Sequence, residues 1–287
     1  MKNVNELALP AAGQSPAVSQ PPNPAAARSN RRRAAFLRAI ALGSALPVLV
    51  LAIWQLAGNL GWIDAFFLPT PAAIFESLWN LIASGKMATH LGISIGRAAA
   101  GFALGGSLGL IFGLLTGFSR KSEIFLDPTV QMLRMIPHLA IAPLIILWFG
   151  FGETSKVLII AKGAFFPLYV NTFLGIRSVD KKLFEVSRVL QYSRVQQMIK
   201  LIIPSSLPNL LMGLRLSLAV SWLGLVVAEL IGSQSGVGFL INLAKQSSLT
   251  EQIFVGVLVF AVVGMMVDLF VRSLERRLLK WRDSYKG

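Results

Sequence analysis

The chain has no cysteine and only two histidines, His90 and His138, in 287 residues. Disulfides and thiolate metal sites are therefore excluded, and two isolated imidazoles do not make a metal-ligand pattern. Charge is also scarce. Asp, Glu, Lys and Arg make up 14% of the residues, against about 25% in an ordinary soluble domain. That is too little to cover a globular surface. A membrane enzyme would need clustered His, Cys or carboxylate groups, and none is visible. There is no G-x-x-x-x-G-K-[ST] loop either, so the chain cannot cradle ATP phosphates by that route.

What is present is apolar. Hydrophobic residues make up 54% of the chain and the mean hydropathy is +0.66. They fall in blocks of about 17–25, the length that spans a bilayer core. A net charge of +14 would suit a nucleic-acid partner, but the basic residues flank the apolar blocks and form no single basic face. The reading is an all-α integral membrane protein in a lipid bilayer, with no nucleic-acid partner. Six transmembrane helices are predicted, over residues 39–58, 98–118, 135–151, 157–176, 207–231 and 252–271. Residues 1–35, rich in Ala, Pro, Ser and Gln, read as a disordered basic tail. Residues 36–60 read as an extra first transmembrane helix, and residues 90–275 as the main domain. With the N-terminus inside, twenty Lys and Arg residues fall in inside segments and four outside, with Arg134, Lys162 and Arg215 in or at the spans. Both termini are therefore expected to be cytoplasmic.

Gly101, Gly105, Gly109, Gly113 and Gly117 recur every fourth residue in the second span. On a helix they make a smooth stripe that lets a neighbouring helix approach closely. Pro47, Pro137, Pro143, Pro167 and Pro208 mark other spans, either as kinks around a pathway or as tolerated kinks.

The longest inside loop, 178–206, is more than a connector. Leu183, Val186, Val189 and Leu190 have helical spacing. Tyr192-Ser193 then interrupts, Ser193 and Gln196 fit a capping box, and a second helix with Val195, Met198, Ile199 and Ile202 ends at Pro204. Two short amphipathic helices with a bend between them suit either the lipid interface or a docking partner.

The loop resembles the signature of binding-protein-dependent ABC importer permeases. Its start is Glu185-Val186-Ser187, its glycine position holds Gln191, and its end is Ile202-Ile203-Pro204. The Glu and Pro match at the right spacing, while the family's Ala-Ala, Gly and Leu are replaced. From about residue 67 to 281 the chain also resembles the permeases for sulfonates, taurine and nitrate. The stretches that carry this are FLPTPAAIFESLW, LDPTVQMLRMIPHLAIAPLIILWFGFGETSK, GAFFPLYVNTFLGIRSVD, GLRLSLAVSWLGLVVAE and LERRLLKW. QMLRMIPHLA and PLYVNTFLGIR are most similar to the aliphatic-sulfonate branch.

The resemblance implies a type I ABC importer permease fold in the bacterial inner membrane, with no catalysis and no cofactor in this chain. It implies a homodimer of permeases, two copies of a separate ATPase that bind ATP and Mg, and a periplasmic sulfonate-binding protein. Glu185, Val186, Ser187, Leu190 and Gln191 would form the helix that docks on the ATPase, with Ile203 and Pro204 closing the loop. The cost of losing the glycine at Gln191 would be met by a bend at Tyr192-Ser193. For an anionic cargo, Arg134, Lys162 and Arg215 are candidate pathway residues, because charge within a span is costly and a functional flag. Glu229 and Asp268 are the only acids in the spans, both near ends. That argues against an ion-coupled secondary transporter, which needs coordinating groups deep in the bundle. Taurine, nitrate and thiamine-precursor permeases remain alternatives for cargo.

Overall fold

The computed structural model describes residues 43–279, which are helices joined by short turns. The expected tail over 1–35 lies outside them. The chain divides into two units, 1–56 and 57–287. The first holds most of an apolar helix, α1 (Gly43–Asn59), so the expected span 39–58 begins outside the described residues.

The second unit contains α2 (Pro71–Ala83), α3 (Lys86–Phe118), α4 (Arg120–Arg134), α5 (His138–Phe149) and α6 (Glu153–Arg177). It continues through α7 (Lys181–Val189), α8 (Arg194–Gln197), α9 (Ile203–Gly232), α10 (Val237–Gln246) and α11 (Thr250–Leu278). A π turn over Met198–Ile202 joins α8 to α9, so Arg194–Gly232 is one continuous helix. Among the described residues four helices are long and apolar enough to cross a membrane: α3, α6, Arg194–Gly232 and α11. The bent pair α4 and α5 would make a fifth.

Helix α6 lies between α3 and α9 and is the centre of the bundle. The glycine stripe of α3 faces it. A Cβ on Gly105 would enter the Ala161 backbone, one on Gly109 the Phe165 carbonyl, and one on Gly113 would stand 2.9 Å from the Tyr169 carbonyl oxygen. At Gly105 and Gly109 backbone packs on backbone, while the Ile160, Thr172 and Ile176 side chains of α6 fill the space over Gly101, Gly113 and Gly117. A second small-residue seam, with no sequence register to reveal it, joins α6 to α9. Gly163 faces Val220, Gly213 faces Asn171, and the Ser217 hydroxyl donates to the Ala164 carbonyl at 2.6 Å. In lipid, where apolar faces gain nothing by leaving water, close packing and such hydrogen bonds hold helices together. The outer face of α11 fits this solvent: Val262, Met265, Met266, Leu269 and Phe270 are all exposed.

Three expectations need correction. The second span starts at Lys86 rather than 98, which places Arg97 inside a membrane-crossing helix. The third is not a simple span over 135–151. Met135, Ile136 and Pro137 form a corner, and the axes of α4 and α5 differ by 97°. Pro137 disfavours helical backbone at Ile136, which ends α4. The 12 residues of α5 then reach about 18 Å, short of a bilayer core of about 30 Å. Finally, the helix that starts in the long loop does not end at Pro204. The π turn, with Ile203 N–H donating to the Met198 carbonyl, carries the chain past the proline into α9.

Candidate functional site

The long loop folds as two helices at a tight reversal. Asp180 caps α7, its side chain accepting from the Lys182 N–H at 2.9 Å. The other end of α7 closes in a Schellman motif: Tyr192 N–H donates to the Ser187 carbonyl and Gln191 N–H to the Arg188 carbonyl, both at 3.0 Å. That motif needs a left-handed residue, and Gln191 supplies it with φ +53°. The bend is therefore made at Gln191 itself, the glycine position of the signature, and not at Tyr192-Ser193 as the sequence suggested. The next two residues start α8. Ser193 N–H donates to Gln196 Oε1 at 2.9 Å and Gln196 N–H to Ser193 Oγ at 3.3 Å, a reciprocal capping box.

What this loop offers outward is apolar. Val189 is 83% exposed, and Val186 and Leu190 are each more than half exposed. Glu185 is exposed beside them, whereas Ser187 is buried and donates to the Phe184 carbonyl at 2.8 Å. Ile203 and Pro204 are exposed at the start of α9. The loop is tied to the bundle by Asn209 Nδ2, which donates to Ser178 Oγ at 3.3 Å. An Arg177–Glu123 ion pair fastens the end of α6 to α4.

The three basic candidates separate. Arg215 pairs with Asp268 at 2.7 Å, and Asp268 also pairs with Arg272 at 2.7 Å, so Arg215 is held in an ion-pair triad between α9 and α11. Arg134 and Lys162 line one cavity of about 370 Å³ at the α4–α5 corner. Lys162 Nζ donates to the Ile136 carbonyl at 2.9 Å and lies 5.8 Å from the centre of the Phe166 ring. Neither Arg134 nor Lys162 takes part in an ion pair among the described residues.

The sequence named Glu229 alone, without the partners that make it the centre of an extensive polar cluster among the described residues. Arg97, 4% exposed, donates from Nη1 to Glu229 Oε1 at 2.8 Å and to the Ser235 carbonyl at 2.7 Å. Its Nε and Nη2 clasp Glu153, each at 2.6 Å. Glu229 is fully buried and accepts from Ser94 Oγ at 2.8 Å and from Gly238 N–H at 2.8 Å. Val237 N–H donates to Ser94 Oγ at 2.9 Å. The first turn of α10 is thereby bonded to α3 and α9. Gly236, at φ +102°, lies so close to the Glu229 carboxylate that a Cβ there would collide with it. The available signal was an Arg and a Glu each within reach of an apolar block.

The architecture is that of a multi-helix membrane protein: a glycine-packed bundle, a broken helix beside a basic cavity, and an exposed two-helix loop. Residues 105–280 match the family described as binding-protein-dependent transport system inner membrane component, and the chain belongs to that family. It is 59% identical, over 85% of its length and 89% of the relative's, to a protein of Bacillus subtilis (strain 168) described as a putative aliphatic sulfonates transport permease. It is 32% identical, over 85% of its length and 90% of the relative's, to the taurine transport system permease of Escherichia coli (strain K12). The fold is shared with a solved amino acid ABC transporter chain at a TM-score of 0.60 and 18% identity, covering 70% of this chain and 97% of that one. The protein is an inner-membrane, multi-pass component of an ABC importer, and ATP hydrolysis belongs to a separate subunit.

Proposed function

We propose that the chain forms the pathway of an ATP-driven importer for aliphatic sulfonates. The observation that carries this reading is the 59% identity to the putative aliphatic-sulfonate permease, set against 32% to the taurine permease. Two copies of the chain assemble around one pathway. Two ATPase subunits that bind ATP and Mg dock on one side, and a sulfonate-binding protein delivers cargo on the other. With six spans, one of them the bent α4–α5 pair, both termini lie in the cytoplasm, a reading supported by the concentration of Lys and Arg in the segments it puts inside.

The loop over 178–206 is the coupling element. Val186, Val189 and Leu190 give it an unpartnered apolar face, and Glu185 beside them gives it a charge for a basic group on the ATPase. The Gln191 reversal and the Ser193–Gln196 box fix the shape of that face, with Ile203 and Pro204 at the base of the lever. Closure of the ATPase pair would then be transmitted along the continuous helix Arg194–Gly232 into the bundle. Arg134 and Lys162 serve the anion pathway, while Arg215, held by Asp268, has a packing role.

The direct test is growth. A strain without this gene and without a redundant importer is expected to lose growth on ethanesulfonate as sole sulfur source while keeping growth on sulfate. Wild-type gene restores it and Glu185→Arg does not. Unchanged growth on every sulfonate overturns the substrate reading.

A further inference from the structure

We infer that the α4–α5 corner is a two-part site inside the membrane domain, taking the sulfonate headgroup at Arg134 and Lys162 and its alkyl chain in the adjoining apolar cavity. This rests on the anion-importer reading above and gives it a location and a chain-length preference. The first half is the cavity of about 370 Å³ whose polar lining includes Arg134, His138, Lys162 and Asn171. The second is a cavity of about 320 Å³ lined by side chains such as Ile145, Trp148, Phe149 and Leu158. The two share Ile136, Lys162 and Phe166, so the ammonium stands at their junction.

Lys162 is the observation that calls for a ligand. It is the tenth residue of the 25-residue α6, roughly 14 Å along the helix, well inside a span. A lysine at such a depth is expensive and is ordinarily compensated by an acid. Here its hydrogen-bond partner is the neutral Ile136 carbonyl, which the break after α4 leaves outside any helical ladder. Arg134 adds a second uncompensated cation at the same cavity. The first turn of α5, which no side chain caps, opens beside both. The corner packs closely on the bundle. The His138 ring is seated between α6 and α9, where a Cβ on Gly163 would come within 3.2 Å of it and one on Gly224 within 2.8 Å. Its Nε2 is buried there without a partner. An anion with an apolar tail satisfies both halves together: its oxygens accept from the cations and its methylenes leave water. Inorganic sulfate or nitrate would use only the first half.

The test is equilibrium binding of labelled alkanesulfonates to the permease–ATPase complex in lipid nanodiscs without the binding protein, corrected for empty nanodiscs. Affinity is expected to rise about three- to fourfold for each added methylene from ethane- to hexanesulfonate, the transfer free energy of a buried methylene. Lys162→Gln is expected to weaken binding at least tenfold and Lys162→Arg to restore most of it. Trp148→Ala is expected to flatten the chain-length trend while the headgroup contribution persists. Affinity independent of chain length, or equal affinity in Lys162→Gln and wild type, overturns the site. If the wild-type importer with its binding protein takes up no alkanesulfonate, the substrate reading itself fails. A transporting wild type with an indifferent Lys162 removes the site alone.

Discussion

Gln191 holds the coupling loop in shape at a cost that can be removed. At φ +53° it occupies the left-handed region, which costs an L-residue with a Cβ roughly 1–2 kcal/mol and glycine nothing. Glycine would add back about 0.4–1 kcal/mol of chain entropy in the open loop. The net effect of Gln191→Gly is therefore a gain of about 0.7 kcal/mol for the closed reversal, or roughly threefold in its opening equilibrium. Proline makes the opposite variant. Its ring locks φ near −65° and removes the N–H that Gln191 gives to the Arg188 carbonyl, so Gln191→Pro should cost about 3 kcal/mol or more. Hydrogen exchange at the Tyr192 amide, which donates to the Ser187 carbonyl across the same motif, reads that opening directly. ATP-driven uptake reads its consequence. Gln191→Gly should slow exchange about threefold and transport at least as well as wild type, while Gln191→Pro should exchange rapidly and lose uptake. A dead glycine variant, or a proline variant that transports normally, would refute the argument that this reversal shapes the docking face.

Further outcomes follow from other parts of the bundle. Glu229→Ala strips a buried carboxylate from Arg97, Ser94 and the Gly238 N–H, and should lower stability by about 3–5 kcal/mol, measured by unfolding in mild detergent. The pair replacement of Arg97 and Glu229 by methionine should cost less than the Glu229→Ala single change. Gly105→Val should abolish assembly of the bundle because Ala161 backbone occupies the space, whereas Gly92→Ala, with nothing within 4 Å, should leave thermal stability within about 0.5 kcal/mol. Because the chain has no cysteine, Val186→Cys provides a unique thiol that should cross-link to the ATPase. Likewise Ser248→Cys should react with an impermeant maleimide from outside the cell and Ser193→Cys should not. The reverse pattern would invert the proposed topology.

How much was legible depended on periodicity. The glycine stripe of α3 was plain because one residue type repeats at the helical period, and the capping box at Ser193 because its spacing is fixed by backbone geometry. The α6–α9 seam was not, since Gly163, Gly175, Gly213 and Gly224 keep no common register and mix with serines. The α4–α5 corner was hidden because the apolar block begins at the corner itself, and the polar α4 before it carries no span signal of its own. Hydropathy put Arg97 outside the second span, because a charge ends an apolar block in sequence even when Glu229 neutralises it in space. Long-range pairing of that kind has no local signature. At Gln191 the sequence showed that a glycine position was filled by another residue, but not that the backbone would keep the glycine's conformation regardless.

The central claim is best tested by reconstituting permease and ATPase in proteoliposomes and measuring uptake of labelled ethanesulfonate. Accumulation that requires internal or external ATP on the ATPase side together with the binding protein, and that Glu185→Arg abolishes, is the predicted result. Accumulation driven by an ion gradient without the ATPase would contradict it.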